Sequence, residues 1–106
     1  MFAAKILPVL EKYCVSTCYL FGSRAGGNAR PGSDVDLAVL FFPYDPTKHN
    51  LELQTKIEAE LASALNPLEV DLVFLQKENL MFKFEVVYTG KVFTVRTKMH
   101  VPILKT

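Results

Sequence analysis

Three apolar segments rich in β-branched and aromatic residues constrain the fold of this chain more than any other feature. They span 15–21, 34–42 and 69–75, and glycine, proline or polar residues follow each of them. Segments of this length and composition are typical of strands inside a sheet. Between the second and third, apolar residues recur at helical spacing over 53–65 and stop before a proline. The pattern predicts an α/β domain in which the third strand pairs beside the second.

Two weaker patterns flank this central region. Residues 2–13 repeat apolar side chains at helical spacing, and we expect that helix to start within one turn of Pro8, because proline disrupts a helix interior. Residues 77–88 fit both a helix and a strand, since their apolar residues satisfy both periods. We favour a helix with Gly90 as its C′ residue, followed by a short edge strand at 92–95.

Length and charge narrow the class of protein. The chain has 106 residues, half of them hydrophobic, and we expect one domain over 1–95 with a flexible or partner-docking tail over 96–106. The net charge is only +1, so the chain lacks the excess of basic residues that stable nucleic-acid binding requires. The longest uncharged stretch, 13–23, is too short for a membrane span, and the first residues lack a secretory signal pattern. We therefore expect a cytoplasmic protein.

Cysteine and histidine give no sign of a metal site in the sequence. Cys14 and Cys18 are too few for a disulfide scaffold or a zinc site, and we expect both in or near a buried segment. His49 and His100 have no partners at metal-ligand spacing, so we expect both at the surface.

Acidic residues interrupt two of the three predicted strands. Asp34 and Asp36 are two apart and therefore point to the same face of their strand, where their charges repel each other. A divalent cation between them removes that repulsion, and an all-oxygen ligand set favours Mg²⁺ or Mn²⁺ over zinc. Asp71, on the neighbouring predicted strand, supplies a third carboxylate. Three acids can hold two such ions.

A glycine–serine pair follows the first predicted strand. Gly22 permits close backbone approach, and Ser23 can donate a hydrogen bond to a phosphate oxygen. Free backbone N–H groups at such a strand-to-helix junction attract anions. A phosphate-binding turn beside a two-metal carboxylate site indicates phosphoryl or nucleotidyl transfer.

These residues together resemble a known signature. Residues 21–27 (FGSRAGG) and 32–37 (GSDVDL) resemble the Gly-Ser, ten residues, Asp-x-Asp motif of the DNA polymerase β-like nucleotidyltransferase superfamily, and 70–73 (VDLV) matches the strand with its third acid. The length resembles that of the minimal nucleotidyltransferases, the MNT or MntA-type proteins. The resemblance covers residues 1 to about 95. It implies a single-domain nucleotidyltransferase fold, a mixed β-sheet flanked by helices, that binds ATP with two Mg²⁺ ions.

The resemblance also implies roles for individual residues. Asp34 and Asp36 would hold both metals, whereas Asp71 would ligate the catalytic metal and help deprotonate the acceptor hydroxyl. Gly22 and Ser23 would hold the triphosphate.

One loop position departs from the family pattern. The family usually carries Lys or Arg after the alanine of the loop, and this chain has Gly26 there. Arg24 or Arg30 would substitute for the missing charge on the phosphates.

The resemblance further implies a partner. In minimal members the adjacent gene often encodes a HEPN-domain ribonuclease toxin, and the MNT protein acts as its antitoxin by attaching AMP to a toxin tyrosine. The apolar content of the last third of the chain also favours a homodimer or hetero-oligomer. Two alternatives stay open: a non-catalytic subunit that neutralises its partner by occlusion, which Gly26 favours, and a transferase acting on small molecules such as aminoglycosides.

Overall fold

The computed structural model describes residues 2–22 and 35–94. Within these residues the chain forms three α-helices and four strands. In chain order they are α1 (Phe2–Lys12), β1 (Val15–Phe21), β2 (Val35–Phe41), α2 (Leu51–Ala64), β3 (Val70–Phe74), a 3₁₀ turn (Leu75–Lys77), α3 (Leu80–Thr89) and β4 (Lys91–Thr94). The predicted tail over 96–106 lies outside the described residues. None of the described helices is long and apolar enough to span a membrane.

The four strands form one mixed sheet in the order β3–β2–β1–β4. β2 pairs with β3 in parallel, whereas β1 is antiparallel to both β2 and β4. The predicted mixed sheet, the pairing of the third strand beside the second and the edge position of the last strand are all confirmed. Because the two parallel strands begin at the same end of the sheet, acids near their starts are brought together.

Helices cover both faces of the sheet. On one face, Ile6 of α1 and Ile57 of α2 pack against Leu37 of β2, and all three are fully buried. On the other face, Val86 of α3 packs against Ala38 of β2. Full burial of such a side chain contributes about 1.5–3 kcal/mol. Since Leu37 and Ala38 are consecutive and face opposite layers, the even-numbered residues of β2 lie on the α3 face.

The first helix begins more than one turn before Pro8, earlier than we expect from the effect of proline on helices. The helix starts at Phe2, so Pro8 lies in its interior, and the expected start within one turn is wrong. Proline in a helix interior costs about 3 kcal/mol because it lacks an N–H and its ring crowds the preceding turn. Here Ile6 and Leu10, on either side of it, are completely buried against the sheet, whereas Pro8 faces solvent. Packing of the apolar face outweighs the local penalty.

Gly90 ends α3, but for a different reason from the one predicted. Its φ is −80°, so it does not adopt the left-handed conformation of a C′ glycine. A Cβ on Gly90 would lie 2.6 Å from the carbonyl oxygen of Val86 and 3.1 Å from that of Leu20. Glycine is required because the backbone at this position lies tightly between the last turn of α3 and β1.

Cys14 joins α1 to β1 in a conformation that few residues tolerate. Its φ is +59°, in the left-handed region, and its N–H donates to the carbonyl of Glu11 at 3.1 Å. We expect Cys14→Gly to raise the free energy of unfolding by about 0.5–1 kcal/mol, because glycine adopts this φ without steric cost. Urea unfolding measures the change. Cys14→Ala is the matched control: it removes the thiol, keeps the strain, and should give no gain.

His49 is buried, and its predicted surface position is wrong. Only 8% of the residue is exposed. Its ring stacks on Phe41 with centroids 3.9 Å apart and on Tyr44 at 5.5 Å. Nδ1 accepts a hydrogen bond from the Asp45 N–H at 3.0 Å. This stacking joins residues that no local sequence pattern connects. Burial lowers the pKa of His49 below its usual value of 6.5.

That burial predicts a pH-dependent stability. Because the pKa of His49 is lower in the folded chain than in the unfolded one, the unfolded state binds the proton more readily. The contribution of neutral His49 is therefore complete above about pH 6.5 and is lost as the pH falls below it. We expect the urea midpoint to fall between about pH 7 and 5. His49→Phe, which keeps an aromatic ring and retains His100, should flatten this part of the curve; an unchanged slope would contradict the assignment.

Candidate active site

Two carboxylates lie side by side on the α3 face of the sheet. Asp36 of β2 and Asp71 of β3 are register partners in the parallel pair. Side chains of such partners project from the same face, with their β-carbons about 5 Å apart. Asp71 is exposed and Asp36 is half-buried. The site is therefore open to a ligand arriving over the start of these two strands.

Gly22 lies directly against the Asp36 carboxylate. β1 ends at Phe21, which pairs with Asp36, and Gly22 follows with a φ of +78°. A Cβ on Gly22 would lie 3.2 Å from Cγ of Asp36 and closer still to its Oδ2. Both the left-handed backbone and the lack of space therefore require glycine at this position. The first residue of the predicted phosphate-binding turn is in contact with one of the predicted metal-binding acids.

The structure thus brings together three of the residues that the sequence singles out: Gly22, Asp36 and Asp71. The other four, Ser23, Arg24, Arg30 and Asp34, lie outside the described residues. Among residues 2–22 and 35–94, no three His, Cys, Asp or Glu side chains are grouped closely enough to hold a metal ion. The three-acid site therefore stays a prediction that depends on Asp34.

Two residues of α2 that sequence reasoning missed cover the free edge of β3. Gln54 donates a hydrogen bond from Nε2 to the carbonyl of Leu72 at 2.8 Å, and the carboxylate of Glu58 lies close to the Leu72 N–H. Burial, and secondarily the negative charge of Asp71, raise the pKa of Glu58. Gln54 and Glu58 are four apart and therefore lie on one face of α2, next to its apolar stripe. Two polar side chains in this position were the sequence signal that could have indicated these contacts. These contacts hold β3, and with it Asp71, in place.

The donor set suits a hard divalent cation. Asp36 and Asp71 offer only carboxylate oxygens, the ligands that Mg²⁺ and Mn²⁺ prefer. Two adjacent like charges are also stabilised when a cation lies between them. The described part of the site therefore fits the metal that the sequence predicts.

Comparison with known families gives one extensive match. The family model described as polymerase beta, nucleotidyltransferase, matches residues 4–98. No curated protein matches the chain.

Several of the solved structures that resemble the chain are toxin–antitoxin complexes. One, a toxin–antitoxin with AMP-PNP, has a chain 28% identical with a TM-score of 0.77, and the match covers 97% of this chain and 80% of that one. A second is a tri-AMPylated HEPN toxin from Shewanella oneidensis in complex with its MNT antitoxin, at 28% identity, TM-score 0.67, and 97% and 76% coverage. A third, the MntA–HepT toxin–antitoxin, is 29% identical with a TM-score of 0.68 and 90% and 71% coverage.

Proposed function

Because the chain belongs to the polymerase β-like nucleotidyltransferase family, we propose that it transfers AMP from ATP to a hydroxyl group of a protein partner. The observation that carries this proposal is the in-register pair of Asp36 and Asp71 with Gly22 packed against Asp36. This chemistry requires metal-binding acids beside a phosphate-binding turn, and the contact between Gly22 and Asp36 supports that assignment.

In the proposed reaction the acceptor oxygen attacks the α-phosphorus of ATP. A P–O bond to the acceptor forms, the bond to the bridging oxygen breaks, and pyrophosphate leaves. Two Mg²⁺ ions, when bound, supply positive charge against the triphosphate. Asp34 and Asp36 would hold both ions and Asp71 one of them, with Mn²⁺ able to take their place.

The remaining roles fall to side chains around the same turn. Asp71 is exposed at the edge of the sheet, where an acceptor can reach it, so it would take the proton of the acceptor hydroxyl. Gly22 and Ser23 would bind the triphosphate, and Arg24 or Arg30 would add charge to the phosphates.

The partner we propose is a HEPN-type toxin, modified on a tyrosine. Three similar structures are toxin–antitoxin complexes, and one of them holds an AMPylated HEPN toxin. The chain also presents apolar side chains on α3 that favour association: Phe84 is 70% exposed and Tyr88 is 85% exposed. We therefore expect a hetero-oligomer with the toxin.

The experiment uses ATP labelled either at the α- or at the γ-phosphate, with the chain and the HEPN-type protein of the same genome. We expect label from α-labelled ATP on the partner, in the presence of Mg²⁺ and not with EDTA. Transfer from γ-labelled ATP would identify a kinase instead. Neutralisation of the partner with no label on it would support the occluding subunit.

A further inference from the structure

A second open space lies at the end of the sheet opposite the carboxylates. β1 begins and β2 ends there, where Val15 pairs with Phe41, whereas Phe21 pairs with Asp36 at the other end. The cavity has a volume of about 410 Å³ and lies between the end of α1, the segment 42–49 and Leu53 of α2. This volume is within the range of small-molecule sites. We call it the distal cavity.

His49 presents a hydrogen-bond donor to the distal cavity. Phe41 and Tyr44 both stack on its ring, and Nδ1 accepts a hydrogen bond from the Asp45 N–H. In a neutral imidazole the other nitrogen, Nε2, then carries the proton.

The Nε2–H group of His49 opens into this space. No described residue accepts a hydrogen bond from it, yet within the same part of the chain no buried side-chain nitrogen or oxygen lacks a partner. Nε2 must therefore reach open space, and the distal cavity is the space that His49 lines.

The charges around the distal cavity favour an anion. Lys48 lines it and forms no ion pair with any residue in the described ranges. Lys12 also lines it, bound to Glu60 at 3.0 Å. Asp45 contributes the one lining carboxylate, and its Oδ1 already accepts a hydrogen bond from the Thr47 N–H at 2.9 Å. The charged lining side chains, two lysines and one carboxylate, carry a net charge of +1, which together with the His49 N–H suits a single negative charge.

The rest of the wall is apolar and preformed. Tyr13, Phe42, Pro43 and Leu53 line the distal cavity and offer ring and aliphatic surface. The segment that carries Lys48 is held by backbone hydrogen bonds from Lys48 and His49 to the carbonyl of Asp45, at 3.1 and 2.7 Å. A preformed wall reduces the conformational entropy that the protein loses when a ligand binds. A dianionic phosphate would need more donors than this wall provides.

We propose that the distal cavity binds a small carboxylate with an aromatic or aliphatic body, its carboxylate held by Lys48 and the Nε2–H of His49. The site is separate from the proposed active site, since the two lie at opposite ends of the sheet. The proposed carboxylate site can therefore be tested independently of the proposed transfer reaction.

The chain provides its own reporter for this site. Cys14 lines the distal cavity and is exposed, whereas Cys18, the only other cysteine, is fully buried, and burial raises its pKa to about 12. N-Ethylmaleimide should therefore modify Cys14 alone in the folded chain. A ligand in the distal cavity should slow that modification.

The test measures protection of Cys14 by 3-phenylpropionate, with uncharged 3-phenylpropionamide as the matched probe and inorganic phosphate as a second anion. We expect millimolar 3-phenylpropionate to slow alkylation by about fivefold or more, and both other probes to require at least about fivefold higher concentration for the same effect. Amide resonances of residues 42–49 should shift in the same titration.

Variants complete the test. Lys48→Met should weaken protection by about fivefold or more, whereas Lys83→Met, which changes a lysine of α3 that does not line the distal cavity, should change it by less than about twofold. His49→Phe, which keeps the stack without the donor, should weaken it similarly. The proposal is overturned if the acid and the amide protect equally, if neither protects, or if Lys48→Met leaves protection unchanged.

Discussion

Replacing Asp36 with asparagine is expected to lower the rate of AMP transfer by about a thousandfold or more while the chain stays folded. Asparagine has nearly the same shape, so the contact with Gly22 survives, but the negative charge is lost from the centre of the site. A loss of about 4 kcal/mol of transition-state stabilisation corresponds to this factor. Transfer from α-labelled ATP to the toxin partner, measured over time, gives the rate.

The matched control is Glu69→Gln. Glu69 precedes β3 and is exposed like Asp71, but its side chain is not one of the register-paired carboxylates. It should retain activity within about twofold, because a single exposed charge contributes little. Asp71→Asn should be as damaging as Asp36→Asn, and the double variant little worse than either, since residues that act as a unit are not additive. Full activity in Asp36→Asn would remove the metal assignment.

Gly22→Ala is expected to affect both stability and activity. The left-handed φ of +78° costs a non-glycine residue about 1–2 kcal/mol, and the added methyl group would collide with the Asp36 carboxylate. We therefore expect the free energy of unfolding to fall by about that amount and AMP transfer to slow by about a hundredfold as Asp36 is displaced. Urea unfolding and the labelling assay measure the two effects.

Gly90→Ala separates these two effects. Its methyl group would collide with the carbonyl of Val86 and not with a carboxylate, so it should destabilise the chain to a similar degree. At a temperature where both variants are folded, Gly90→Ala should transfer AMP at close to the normal rate. Equal loss of activity in the two variants would mean that Gly22 acts only through stability.

The sheet and its helices could be predicted from local patterns. β1 has the predicted bounds, Val15–Phe21, and β2, predicted over 34–42, spans Val35–Phe41 within the described residues. The long helix, predicted from its apolar stripe over 53–65, spans Leu51–Ala64, with Asn50 capping its start. These elements follow from short-range spacing, which the sequence contains directly.

The features that could not be predicted depend on contacts between distant segments. The register that pairs Asp36 with Asp71 is set by how the apolar faces of β2 and β3 fill one core, and only the neighbourhood of the two strands was foreseeable. Pro8 inside α1 and the stack of His49 on Phe41 depend in the same way on packing.

Only part of the candidate site could be predicted from the sequence. The contact between Gly22 and Asp36 could be expected from the motif, because its spacing places both beside the end of β1. The edge contacts of Gln54 and Glu58 could not, because they arise only when α2 packs beside β3. The roles of Ser23, Arg24, Arg30 and Asp34 stay predictions.

The most direct measurement adds Mn²⁺ and a non-hydrolysable ATP analogue to the ¹⁵N-labelled chain and follows paramagnetic broadening of its amide resonances. If the paired acids share a cation with the triphosphate, Gly22, Asp36 and Asp71 should broaden first, and the effect should vanish in Asp36→Asn. Broadening that leaves these three residues sharp, or that persists unchanged in the variant, would contradict a metal–nucleotide site at this end of the sheet.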